Sequence, residues 1–247
     1  MPFIDDDGAP ITSVDLRQVD QKHFQLMKPF HYVEPGTSYR ITIPKHDMDR
    51  DWRNGNSTDL ASVPTVLRGL VASYGLHTRA ALMHDYLCEQ GKIVPGSWWN
   101  GFRMRRQADE LFRVALQESA VPGIRRWLMW AAVSFGRYLS HAWALGVLML
   151  LQMLVSVAAV GVVVFGMADD SWWLVLLGPC VASILWWRDV RVVAIGCVAA
   201  PVLVPLVAIG MATAFAVACP WTYWFRSGWR FIRRRVLHLP PSSAAAN

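Results

Sequence analysis

What is scarce in this sequence of 247 residues narrows it first. Only 17% of the residues are charged, against about 25% in an average soluble domain, which excludes a disordered chain and a single soluble domain. There are four cysteines and no CxxC pair, so neither a zinc site built on cysteines nor a disulfide framework is indicated. No glycine-rich phosphate loop, nucleophile elbow or HExxH motif occurs, which disfavours nucleotide-driven chemistry and serine hydrolysis. Met1 to Pro10 carries Asp5, Asp6 and Asp7 but no basic start and no apolar core. No cleavable signal peptide is expected from it.

The scarcity of charge is uneven. Residues 1–138 hold 17 Lys/Arg and 15 Asp/Glu, a net of +2, and residues 139–247 hold 7 and 3, a net of +4. In the second half, His141–Ala168 and Val192–Cys219 are each 28 residues without a formal charge. About 20 apolar residues cross the hydrocarbon core of a bilayer, so both are expected to span a membrane. Between them, Ser171–Trp187 is flanked by Trp172/Trp173 and Trp186/Trp187, and this segment reads as a short third span or as a re-entrant or surface-lying helix. Neither long span holds an Asp, Glu, Lys or Arg, which argues for an anchor and against an ion path. The polar exceptions Gln152, Ser156 and Thr213 are expected to bond between helices. Arg226, Arg230, Arg233, Arg234 and Arg235 are interleaved with Trp221, Trp224, Phe225, Trp229 and Phe231. Aromatics and arginines beside an apolar span make a membrane-interface tail, so the excess positive charge points to a lipid bilayer as partner and not to nucleic acid.

The first half reads as a small α+β unit, mostly helical with a β-hairpin. Residues 24–33 and 38–43 are rich in aromatic and β-branched side chains and flank the turn Glu34-Pro35-Gly36-Thr37. His46–Ser57 is a polar loop. Ser62 and Pro64 suit a helix start, and helices are expected near 62–74, 78–90, 100–119 and 122–139, separated by Gly91, Pro95-Gly96 and Pro122-Gly123.

Four motifs in order carry a resemblance. They are Ile41-Thr42-Ile43-Pro44; Thr58-Asp59-Leu60-Ala61-Ser62-Val63-Pro64; Ala80-Ala81-Leu82-Met83-His84-Asp85-Tyr86-Leu87; and Arg106-Gln107-Ala108-Asp109-Glu110-Leu111-Phe112, followed by Met129, Ala132-Val133 and Phe135-Gly136. Over about residues 22–138 the chain resembles the phage and prophage family catalogued as domain of unknown function 1353. The family's Gly-Phe pair before the Thr-Asp motif is missing, and Lys45–Ser57 stands in its place. The resemblance implies a phage or prophage setting but no settled activity.

Asp59, His84, Asp85 and Asp109 are the candidate site residues. Imidazole with carboxylates suits zinc, manganese or iron, and such an ion activates water for hydrolysis. Adjacent residues on a helix point about 100° apart, yet His84 and Asp85 can both reach one ion in front of it, with Asp109 or Asp59 completing the shell. Arg79 and Tyr86 are candidate supporting groups. The competing reading is structural: Asp109 in a surface ion pair with Arg105, Arg106 or Arg113 at helical spacing, Asp59 as a cap or turn residue, and His84 and Asp85 bonded across a small core.

The expectation is a chain of four parts: an N-terminal segment over 1–21, a domain over 22–138, a transmembrane helical region over 139–219 and a basic aromatic tail over 220–247. The function expected is a membrane-anchored phage- or prophage-related protein, its cytoplasmic domain a metal-dependent hydrolase-like module at the inner membrane. The alternative is a non-enzymatic accessory or virion-associated protein acting in assembly, lysis or superinfection exclusion, with other phage or membrane proteins as partners.

Overall fold

The structure is a computed structural model. It describes residues 2–21, 23–37, 39–53, 56–58, 75–93, 98–165 and 172–235. The expected helix over 62–74 and the candidate Asp59 lie outside the described residues.

Strand β1 (Phe3–Ile4) pairs with β4 (Phe30–Val33), and β4 pairs with β5 (Arg40–Ile43), all antiparallel. The register sets Phe30 opposite Ile43 and Tyr32 opposite Ile41. Side chains alternate across a strand, so Phe30, Tyr32, Ile41 and Ile43 go inward while Arg40 and Thr42 stay exposed. Strand β2 (Leu16–Gln18) pairs with β3 (Phe24–Leu26) in a second, two-stranded sheet. The expected single strand over 24–33 is therefore two strands that serve different sheets. Pro29 lies between them and has no N–H to give to a ladder. Beyond β3, Thr58 and Phe24 exchange backbone hydrogen bonds of 2.8 Å in both directions, which seats Thr58 beside the sheet.

Helix α1 (Thr78–Ile93) begins where Gly75, at φ +144°, accepts a backbone bond from Thr78 and donates to its hydroxyl. A positive φ of this kind is one that glycine adopts without strain. Ala80, Ala81, Leu82 and Met83 of α1 are buried against the sheet, together with Phe112, Ala115 and Leu116 of α2 (Trp98–Glu118). Helix α2 closes on Ala120 at φ +57°, with the Val121 N–H bonded to the Leu116 carbonyl. This is the left-handed helix ending that usually employs glycine. Pro122 then leads into α3 (Gly123–His141).

Helix α4 (Trp143–Val164) follows α3 after a break at Ala142. Gly146 sits so close to the end of α3 that an added Cβ would lie 3.1 Å from the Leu139 backbone nitrogen. Helix α5 (Trp172–Ala182) and a 3₁₀ turn (Ser183–Asp189) lead into α6 (Val190–Arg235). Gln152 of α4 donates to the Pro179 carbonyl at 2.8 Å and to Ser183 Oγ at 3.2 Å, and it accepts from Trp186 Nε1 at 2.7 Å. Gln152 thus bonds between helices and Ser156 also meets Cys197 of α6, while the Ser156 and Thr213 hydroxyls donate to the Met153 and Gly210 carbonyls of their own helices, an internal outlet available to any helical Ser or Thr.

Two helical stretches, Trp143–Val164 and Leu177–Thr213, are long and apolar enough to cross a membrane, with mean hydropathies of 2.6 and 2.7. The chain divides into two units, Met1–Val202 and Leu203–Asn247. The described part of the second unit is helical to Arg235.

Candidate functional site

Three helices bring the motif residues together. His84 lies on the buried face of α1, and its Nε2 is 2.9 Å from Asp109 Oδ1 of α2. The Phe112 ring tilts against the imidazole at 5.0 Å. Asp85, the next residue, faces outward as helical geometry requires. Its side chain is 39% exposed, it accepts the Thr58 hydroxyl at 2.5 Å, and its Oδ1 is 4.0 Å from His84 Nδ1. Cys88 Sγ is 3.6 and 3.8 Å from the two ring nitrogens of His84. Near-equal distances put it beside the ring and not on the axis of either nitrogen.

Asp109 is 1% exposed, and its second oxygen, Oδ2, lies 3.2 Å from Arg137 Nη1 of α3. Arg137 is also 1% exposed, and its Nη2 donates to Asp189 Oδ1 at 2.9 Å. The other Asp189 oxygen accepts the Tyr138 hydroxyl at 2.6 Å and lies 3.6 Å from Arg106 Nη1. Phe102 and Tyr138 face the Arg137 guanidinium at 4.9 and 5.3 Å. The result is an alternating ladder, His84–Asp109–Arg137–Asp189–Arg106, inside the first unit. Burying an ion costs several kcal/mol unless opposite charges and hydrogen bonds offset it. Alternation supplies that offset at each interior step.

The surface ion pairs expected at helical spacing around Asp109 do not form. Asp109 faces the interior, where His84 and Arg137 meet it. Arg106 instead pairs with Asp189 and donates to the Arg188 carbonyl, and Arg113 pairs with Glu110. Arg79, a suggested supporting group, reaches the Ile11 carbonyl and the Phe3 ring. Tyr86 packs partly buried against the core. Sequence pattern alone does not pick out Thr58 as a donor, nor Arg137, Tyr138 and Asp189 as site residues. One signal for Asp189 is present: it is the only acidic residue from 171 to 247, and a lone acid among apolar segments demands a partner.

Burial alone pulls the His84 imidazole toward neutrality, but the hydrogen bond with Asp109, with Asp85 and Cys88 close by, outweighs it and raises its pKa well above 6.5. The protonated imidazole is thus favoured at the head of the ladder, beside the Asp109 carboxylate. Burial, followed by the hydrogen bond and charge of Asp189, pushes the Tyr138 hydroxyl pKa up as well, so it stays a donor.

Zinc sites use three or four protein ligands. Among the described residues no group of three His, Cys, Asp or Glu is placed to hold a metal ion. His84 Nε2 and both Asp109 oxygens face one another and Arg137, which leaves His84 Nδ1 and Asp85 as the outward donors of the candidate set.

Comparison with known families fits the motif order. Residues 24–133 match the family described as "Protein of unknown function (DUF1353)". This segment is a DUF1353 domain. The match covers less than half of the chain, and it stops before Arg137 and Asp189. No curated protein and no solved structure matches the chain. The matched residues thus supply His84, Asp85, Asp109 and Arg106, and the residues after them supply Arg137 and Asp189 in the middle of the ladder.

Proposed function

We propose that this chain is a membrane-anchored, non-enzymatic accessory protein, whose DUF1353 domain is held to the helices after it by the buried charge ladder. The observation that carries this reading is that each described candidate residue has a local partner, and that the ladder runs through Asp189 in the turn before α6. A general acid or base needs a substrate proton within hydrogen-bond reach; His84 and Asp109 are 5% and 1% exposed.

The anchor rests on the outward faces of the apolar helices. Only 17% of the Trp143–Val164 window and 22% of the Leu177–Thr213 window is buried, whereas the core helix of a soluble protein is mostly covered. Leu145, Leu148, Leu151 and Val155 are all exposed on α4. Exposed apolar surface on this scale fits lipid, and 22 residues at about 1.5 Å each match the roughly 30 Å hydrocarbon core. In this reading the membrane is the inner one and the DUF1353 domain is cytoplasmic, since Arg125 and Arg126 precede α4 and Arg188 and Arg191 precede the next apolar run. A role in phage assembly, lysis or superinfection exclusion extends it, with phage or membrane proteins as partners.

The metal-dependent hydrolase-like reading is kept second for one specific reason. A carboxylate behind one histidine nitrogen, with the other nitrogen turned toward a half-exposed carboxylate, is how metal-ligating histidines are oriented. Purified full-length protein, analysed for zinc, manganese and iron, separates the two. The accessory reading expects no stoichiometric metal and no thermal stabilisation when manganese or zinc is added. It also expects a host phage-plating phenotype that survives His84→Ala with Asp85→Ala but is lost on deletion of 139–247. One ion per chain, lost in Asp85→Asn, reverses the order of the readings.

A further inference from the structure

We infer that Arg137 is a shared cation coupling the turn at 183–189 to helix α1, so that withdrawal of Asp189 is felt at His84 and Asp85. The inference rests on the docking reading above and adds regulation to it. Arginine presents a planar fork that suits one carboxylate bidentately. Here the fork is divided: Nη2 bonds to Asp189 at 2.9 Å, while Nη1 faces Asp109 at 3.2 Å. Arg137 Nε and Nη1 and Asp109 Oδ2 are buried without an aligned hydrogen bond among the described residues. The Arg137–Asp109 contact is therefore an ion pair short of its best geometry. A second arrangement is available, with the fork closed on Asp109 and Asp189 left to Tyr138 and Arg106. Phe102 and Tyr138 meet edge to face at 5.2 Å, and the guanidinium lies against both rings, at 4.9 and 5.3 Å, surfaces over which a planar group can turn.

The turn itself supplies the bias. Trp187 lies at φ +49°, ψ −105°, a left-handed backbone that an L side chain adopts only under strain. Its side chain is 82% exposed, so no other part of the described protein packs around the indole to hold it there. Asp189, two residues on, is one of the groups that hold the turn, together with Gln152 on Ser183 and Trp186 and Arg106 on the Arg188 carbonyl. Relaxation at Trp187 draws Asp189 away, Arg137 closes on Asp109, and Asp109 loosens its hold on His84. Coupling of this kind runs through a contiguous network with two arrangements.

Hydrogen exchange on the full chain in lipid nanodiscs tests it. Asp189→Asn is expected to speed exchange of the α1 amides over 80–88 by about fivefold or more, the lower end of usual coupling between sites, although Asp189 belongs to another segment. In an Arg137→Lys background, where the fork is gone, Asp189→Asn is expected to add nothing at α1. Trp187→Gly relieves the strain and is expected to leave α1 exchange unchanged or slower. If Asp189→Asn fails to fold, Tyr138→Phe removes one donor from Asp189 and is expected to act in the same direction. Faster exchange confined to 137–141 and 183–191, with α1 unchanged, overturns the coupling while leaving the docking reading intact. Docking itself fails if Arg137→Gln leaves the melting temperature unchanged.

Discussion

Arg137→Gln is the perturbation that weighs the ladder most directly. Removing one member of a buried ion pair costs about 3–5 kcal/mol, because the partner is left buried and uncompensated. In this protein Asp109 keeps His84 at 2.9 Å, and Asp189 keeps the Tyr138 hydroxyl at 2.6 Å and Arg106 at 3.6 Å. Those remaining partners place the electrostatic loss near the lower end, about 3 kcal/mol. Loss of the guanidinium from the Phe102 and Tyr138 rings adds roughly 0.5–1 kcal/mol. For a folding unit of this size each kcal/mol moves the melting temperature by about 2–4 °C. A fall of roughly 7–16 °C is therefore expected, read by tryptophan fluorescence of the full chain in nanodiscs. The triple variant Asp109→Asn, Arg137→Met, Asp189→Asn removes all three interior charges together; His84 can then shed its proton and Arg106 is partly exposed, so it is expected to lose less stability than the single variant. A triple variant as unstable as the single one refutes the charge argument and assigns the loss to packing. A single variant within about 1 °C of the parent, well below the shift a lost buried pair produces, means that Arg137 is solvated and no ladder exists.

The pH dependence has two limbs of opposite sign. The His84 pKa lies above its ordinary 6.5 in the folded protein, so its contribution is complete below about 6.5 and fades as pH rises through the folded value; His84→Gln should flatten that alkaline limb in a melting-temperature series. Burial lowers the His46 pKa, and its Nδ1 accepts the Leu26 N–H at 2.7 Å. Its contribution is complete above about 6.5 and fades as pH falls below that value, so His46→Asn should flatten the acid limb. Ala120→Gly, at φ +57°, should stabilise by about 0.5–1 kcal/mol, since relief of the left-handed alanine slightly exceeds the glycine entropy cost; a lower melting temperature counts against that helix ending. Gly146→Ala drives a Cβ to 2.9 Å from Leu139 Cδ2 and 3.2 Å from the Tyr138 carbonyl carbon and should cost about 1–3 kcal/mol. Gly161→Ala, with open space at its Cβ position, should not, and equal effects would refute close packing of α3 on α4.

Much of the architecture is legible in local pattern. Apolar runs without charge mark α4 and the start of α6 because burying a charge in hydrocarbon is costly wherever it occurs. Glycine and proline punctuation places α1, α2 and α3 within a few residues of their observed ends, since breakers act on their own neighbourhood. The short strands β1 and β2 cannot be read this way: two or three residues are too few to show an alternating pattern. Residues 84 and 109 are legible as polar groups in a helical domain, but their partners are not. Arg137 reads as a charge flanking a span, and Asp189 as a loop residue. Ion pairs at three- or four-residue spacing can be read along one helix, whereas the contact of Arg137 with residue 189 spans 52 positions and exists only once α3 and the turn before α6 meet. Composition and periodicity are enough to say which stretches are apolar, which are helical and which polar residues must find company. The choice of that company waits for the helices to pack, because electrostatic partners are set by distance in space and not by distance along the chain.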